Sequence, residues 1–255
     1  LEVCAEVDAL RALGRAAERL GGAFPRFDDG RGPRLEVDGL VHPFLADPVS
    51  NDLALDGERT FLFLTGPNMA GKSTFLKALG LAVYLAHVGM AVPARRLVVG
   101  GLDTITSSLH VEDNLERGHS FFFNEVRRVK EVAESLQAGR SLLVLFDELF
   151  KGTNVKDAID GSSLVIEGLL RWNSSLFVLS SHLIALEESL APHTRIRFFS
   201  FESEVQGGRP RFSYRLRPGV SRERLGMLIL ENEGVPALLR PDVGAATDAA
   251  TDTES

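Results

Sequence analysis

The stretch "TFLFLTGPNMAGKSTFLKALG", residues 60–80, restricts the possible folds more than any other part of the chain. A short apolar run ends in Gly66, and Gly71, Lys72 and Ser73 complete the spacing G-x-x-x-x-G-K-[ST]. A helical pattern over 72–89 follows. A strand, a glycine-rich turn and a helix in this order make a phosphate-binding loop. Glycines let backbone N–H groups curl round phosphate oxygens with no Cβ in the way. The helix N-terminus adds the positive end of its dipole. Lys72 brings a point charge to the β- and γ-phosphates, and the Ser73 hydroxyl can take one position on Mg²⁺.

The rest of the chain alternates strand and helix. "SLLVLFDE" (141–148) and "SSLFVLSSH" (174–182) read as two further buried strands. "SFFFNEVRRVKEVAESLQAG" (120–139) reads as a helix with Phe122, Val126, Val129, Ala133 and Leu136 on one face and Gly139 at its C′ position. "DGSSLVIEGLLRW" (160–172) reads as a helix with Asp160 as N-cap, and "LIALEESL" as a short one. This alternation predicts an α/β fold, a mostly parallel sheet flanked by helices.

Residues 1–20 form an amphipathic pattern stopped by Gly21 and Gly22, and "GGAFPRFDDGRGP" reads as a link. "RIRFFSFE" and "PRFSYRLRPG" read as a hairpin, with Phe212, Tyr214 and Leu216 on one face and Arg211, Ser213, Arg215 and Arg217 on the other. "SRERLGMLILENEG" reads as a closing helix, and the polar, acidic tail 241–255 is expected to be disordered. The expected division is 1–34 as helix and link, 35–240 as the main domain, and 241–255 as tail.

Composition narrows the function classes. The formal net charge of −7 argues against a dedicated nucleic-acid module, without excluding a motor attached to DNA-binding parts outside this chain. The single cysteine, Cys4, allows no internal disulfide and fits a reducing, cytoplasmic setting. No apolar stretch reaches the length of a membrane span, and no signal peptide is visible. The chain starts at Leu1 rather than Met, as an excised piece would.

Three further features bear on chemistry. Asp147 and Glu148 end an apolar strand; the first is placed to serve Mg²⁺ and the second to polarise water, or the pair is an exposed acidic turn. Gly118-His119-Ser120 opens a helix, which either is an ordinary serine-capped helix or receives a phosphate from a second subunit. His182, at the end of the third strand, is either structural or a partner of the γ-phosphate or of the attacking water. Phosphate loop, Gly-x-Ser helix, Asp-Glu strand end and histidine is the order found in ABC-type ATPases of the P-loop NTPase class.

The string "TGPNMAGKST" resembles the phosphate loop of the MutS family of DNA mismatch-repair ATPases, and its Pro-Asn-Met is more specific than the general motif. "VHPFL", "VSND", "EDNLERGHSFFFNEV", "LFDELFKGTN", "SSHL" and "RPGVSRERLGMLILENEGVP" resemble further family segments in the same order, over residues 35–237. Residues 1–25 resemble the end of the family's lever helix. The resemblance implies that Gly66, Pro67, Asn68, Met69, Ala70, Gly71, Lys72, Ser73 and Thr74 bind ATP, with Ser73 and Asp147 on Mg²⁺. It implies Glu148 as general base, His182 as γ-phosphate sensor, and Ser120 reaching the nucleotide of a partner subunit. Gly152 and Thr153 would belong to a loop crossing the dimer interface.

The implied partners are a second copy or a MutS-like partner through the ATP sites, DNA through domains outside this chain, and a downstream repair ATPase; no membrane is implied. The sequence departs from the family at Leu149, Phe150 and Lys151, at Phe121–Phe123, and at Pro48, where an adenine-stacking aromatic is usual. These departures leave open a housekeeping mismatch-repair protein or a divergent relative. The expected function is therefore a Mg²⁺-dependent ATPase motor domain. The alternatives are a non-hydrolysing, nucleotide-gated dimerisation module and a transporter subunit. "LERGHS", standing where a transporter would show Leu-Ser-Gly-Gly-Gln, disfavours the last.

Overall fold

Apolar runs without alternation belong to strands buried on both faces, and the three such runs here lie side by side. The computed structural model describes residues 2–30, 32–109, 121–221 and 225–239. The chain runs through α1 (Glu2–Leu20), β1 (Arg26–Phe27), β2 (Arg34–Leu40), β3 (Asn51–Leu55), β4 (Phe61–Thr65) and α2 (Lys72–His87). It continues through β5 (Arg96–Gly100), β6 (Thr104–Ser108), α3 (Phe121–Gln137), β7 (Leu142–Asp147), α4 (Val155–Leu169) and β8 (Leu176–Ser180). It ends with α5 (Ala185–Leu190), β9 (Ile196–Gln206), β10 (Arg209–Pro218), α6 (Gly226–Asn232) and α7 (Val235–Leu238). The fold is mixed α/β, as the alternation predicts.

The larger sheet has the order β10-β9-β4-β8-β7-β6, parallel except for the β9–β10 hairpin. Its strands send alternate side chains to two cores. Leu62, Leu64, Leu143, Leu145 and Val178 face α2 and, beyond it, the smaller sheet. Phe61, Phe63, Val144, Phe146 and Phe177 face α3, α4 and α5. Phe61 and Phe177 stack with ring centroids 5.9 Å apart. Burying each such side chain is worth about 1.5–3 kcal/mol, so the central strands hold the sheet edge firmly.

The structure adds a second sheet, β1-β5-β2-β3, which the alternation of strand and helix does not reveal. The glycine- and proline-rich link is part of it: β1 pairs in parallel with β5, and Ala23 bridges to Val92. The hydrogen bonds of this segment thus go into a sheet rather than to solvent. α1, by contrast, buries none of its residues.

Four expectations are corrected. Asn154, not Asp160, caps α4; its side chain accepts the Asp157 N–H at 3.0 Å, so the helix starts a turn and a half earlier. On α3 the inward face holds Phe122, Glu125, Val129, Val132 and Leu136, whereas Val126 and Ala133 are exposed. In β10 the register shifts between Phe212 and Leu216, and Tyr214 takes φ 55°, so the alternation read from sequence breaks there. The closing helix is split into α6 and α7 and begins at Gly226. The tail lies outside the described residues.

Candidate functional site

The register of the parallel strands brings the sequence motifs together. Leu64 pairs with Ser180, and Ser180 with Asp147. The Ser181 N–H donates to the Leu64 carbonyl at 2.9 Å, and the Glu148 N–H to the Ser180 carbonyl at 3.0 Å. The glycine-rich loop after β4, the acidic end of β7 and the histidine after β8 therefore share one edge. The carboxyl edge of a parallel sheet is where α/β proteins place their ligands.

The loop turns through left-handed conformations at Met69 (φ 70°) and Gly71 (φ 105°). Lys72, first residue of α2, is only 5% exposed, and its Nζ donates to the carbonyls of Gly66 at 2.7 Å and Pro67 at 3.1 Å. Burial lowers its pKa, against the opposing pull of Glu148 and Asp147. A cavity of about 770 Å³ opens at this point, within the size range of small-molecule sites. Pro67, Asn68, Met69, Gly71, Lys72, Ser73 and Thr74 line it, and Glu148 and Lys151 border it. Gly66 and Ala70 do not line it; Ala70 packs into the core.

Glu148 is the most constrained carboxylate of the edge. Its side chain is 14% exposed, and Oε2 meets Lys151 Nζ at 3.1 Å and His182 Nδ1 at 3.3 Å. Burial works to raise its pKa, but the hydrogen bonds and charges of His182 and Lys151 prevail and hold it at about 2. Glu148 and Phe150 both take φ 61°, in the left-handed region. Such residues cost about 1–3 kcal/mol each and gather at functional sites. Asp147 accepts a hydrogen bond from the Ser180 hydroxyl and does not line the cavity. Ser120, together with Gly118 and His119, lies outside the described residues.

Sequence reasoning passed over two residues here. Tyr214, displaced by the β10 bulge, lines the cavity opposite the glycine-rich loop; a Cβ on Gly71 would stand 3.3 Å from its ring. Asn51 holds that bulge, donating to the Tyr214 carbonyl at 3.0 Å and accepting the Leu216 N–H at 2.6 Å. The neighbouring Asp52 accepts the Gly39 N–H at 2.6 Å. The "VSND" segment thus fastens two sheets, and the regular alternation of Phe212, Tyr214 and Leu216 in the sequence gives no sign of the bulge.

The donor set fits a nucleotide with Mg²⁺. A buried lysine, a turn of loop amides and two hydroxyls suit phosphate oxygens, and Ser73 with Asp147 offers the hard oxygen ligands magnesium takes. Among the described residues no group of three or more His, Cys, Asp or Glu could hold a metal ion.

Such an edge defines an α/β domain with a glycine-rich loop beside an acid–histidine pair. Residues 62–249 match the family model for MutS domain V, and the chain belongs to the MutS family. It is 33% identical over 238 residues to the DNA mismatch repair protein MutS of Anaplasma phagocytophilum (strain HZ), covering 92% of this chain and 28% of that protein. To the MutS of Thermotoga petrophila it is 29% identical over 239 residues, covering 92% and 29%. To that of Chloroflexus aurantiacus (strain J-10-fl) it is 33% identical over 241 residues, covering 91% and 24%. The chain thus spans under a third of the length of these relatives. Among the described residues no helix is long and apolar enough to cross a membrane.

Proposed function

We propose that this chain is the ATP-binding and ATP-hydrolysing motor domain of a MutS-like DNA mismatch-repair protein, of the ABC type within the P-loop NTPases. The observation that carries the reading is the strand register, which sets Lys72 and Glu148 in the lining of one cavity, with His182, which does not line it, against Glu148. The backbone N–H groups of Gly66 and of 68–74, together with Lys72, bind the phosphates. Ser73 and Asp147 would hold Mg²⁺, which when bound supplies positive charge to the phosphate oxygens. Glu148 orients the attacking water toward the γ-phosphorus and takes its proton as ADP leaves. A carboxylate with a pKa of about 2 is a weak base; it takes that proton late, which suits a loose phosphoryl-transfer transition state. His182 steers Glu148 and contacts the γ-phosphate. Ser120 of a second copy would complete the site, so ATP closes a dimer and hydrolysis opens it. DNA would be reached through domains outside this chain.

The test is single-turnover hydrolysis at rising chain concentration. The rate per chain should climb with concentration and level off as dimers fill; a rate independent of concentration removes the shared site.

Of the cavity's phenyl and phenol rings, Phe75 and Phe201 are buried and Tyr214 is exposed, so Tyr214 is the one offered to the base, in place of the aromatic missing at Pro48, which also lines the cavity. Tyr214→Ala should weaken ATP binding by about 1–3 kcal/mol, the usual worth of one base–aromatic stack, while Tyr214→Phe stays near the parent. Inorganic triphosphate should bind all three alike in calorimetry; an equal loss for triphosphate would move Tyr214 away from the base.

A further inference from the structure

Glu125 is a buried carboxylate that the chemistry above does not use. It sits one turn into α3, is 4% exposed, and does not line the cavity. Its Oε1 accepts the Phe150 N–H at 3.1 Å, across 25 residues of chain. Its Oε2 is buried and forms no directed hydrogen bond. Burial raises its pKa, and the amides of Lys151, Phe150 and Gly152 pull the other way. The Phe150 amide bonds the carboxylate directly, and the amides of Lys151 and Gly152 favour its charge from the same stretch of backbone. Left-handed turns at Glu148 and Phe150 accompany it. The Phe150 ring is gripped as well, 5.5 Å from the Phe122 ring and against Gly161 of α4.

A buried charge with one oxygen unpaired is poor stabilising material; an apolar residue of that size would serve a core better. A buried polar group can instead specify one conformation of the segment it bonds, and Glu125 bonds a loop that holds Glu148 and Phe150 in the left-handed region. That loop carries Glu148 at one end and Lys151 in the middle. We propose that Glu125 is a positioning residue for hydrolysis: it ties α3 to the 148–153 loop, so that the placing of Glu148 follows the position of α3. This rests on the functional reading above, in which the segment just before α3 meets the partner's nucleotide. Closure of the dimer, felt at the start of α3, would reach the cis base through Glu125.

Glu125→Gln keeps the shape, can keep an oxygen on the Phe150 N–H with its NH2 in the place of Oε2, and removes the charge. In the full chain it should lower single-turnover hydrolysis about ten-fold or more, with ATP affinity within about two-fold, the signature of a group acting on the transition state alone. Amide hydrogen exchange at 150–152 should quicken by about ten-fold or more, with β4 and α2 unchanged. Glu125→Asp, which keeps the charge at shorter reach, should recover part of the rate. Faster exchange with unchanged hydrolysis overturns the proposal, as does an affinity loss matching the rate loss. Failure of both variants to fold also overturns it, because the residue would then serve folding alone. A parent chain that binds ATP and never hydrolyses it overturns the functional reading itself, and this inference with it.

Discussion

Glu148→Gln is expected to bind ATP within about two-fold of the parent and to hydrolyse it about 10²–10⁴ times more slowly, the usual loss for a missing general base. The amide keeps the size of the side chain, so the cavity wall stays in place. It cannot take a proton, and its pairing with Lys151 and His182 weakens. On the proposed cycle, closure then proceeds and opening stalls, so size-exclusion chromatography with ATP should show the dimer accumulating. The parent's pH profile provides an independent check. With a folded pKa of about 2 against an ordinary value of 4.5, Glu148 is ionised throughout the neutral range. It should give no acid limb above about pH 4, two decades over that pKa. Lys151→Ala should move such a limb upward. The same depression is a stability term: present above pH 4.5, and lost as pH falls toward 2. Parent chain that binds ATP tightly without turnover would favour a nucleotide-gated dimerisation module.

The outcome at Glu148 depends on features that a reader of the sequence sees unevenly. β4, β7 and β8 are continuous apolar runs with polar ends, and their type and order are legible because burial on both faces leaves no other composition. Glu148 and His182 follow the ends of β7 and β8, and Lys72 opens the helix after β4, so parallel pairing brings all three to one edge of the sheet. The second sheet is harder to see. Its strands are short, β2 shifts register between Val37 and Leu40, and β1 lies inside a segment rich in turn residues. The inward face of α3 is hard to read for a physical reason: one of its buried positions is Glu125, and a hydrophobic pattern passes over a charge. Asn154 was passed over in favour of Asp160 although Asp157, three residues on, marks the cap. Tyr214 reaches the cavity through a bulge held by Asn51, 163 residues away in sequence, a contact that no local pattern encodes.

Lys72→Met should separate binding from folding. The methionine matches the length of the lysine stem but brings no charge and no donor. On the proposed reading Lys72 meets the phosphates in a site closed to bulk water. Losing one partner of a buried, hydrogen-bonded charge pair costs about 2–5 kcal/mol, which is roughly thirty- to several-thousand-fold in Kd. The folded chain should respond in the opposite sense. Burial outweighs the nearby carboxylates and lowers the lysine's pKa, so Lys72 holds its proton less readily folded than unfolded. Its charge therefore opposes folding at neutral pH, and that opposition fades as pH rises toward 10.5. Removing the charge offsets the two lost bonds to the Gly66 and Pro67 carbonyls, so Tm should hold or rise while ATP affinity collapses. Calorimetry on one preparation, thermal and then titrating with ATP, reads both. A fall in Tm with affinity intact would make Lys72 a staple of the loop rather than a ligand for phosphate.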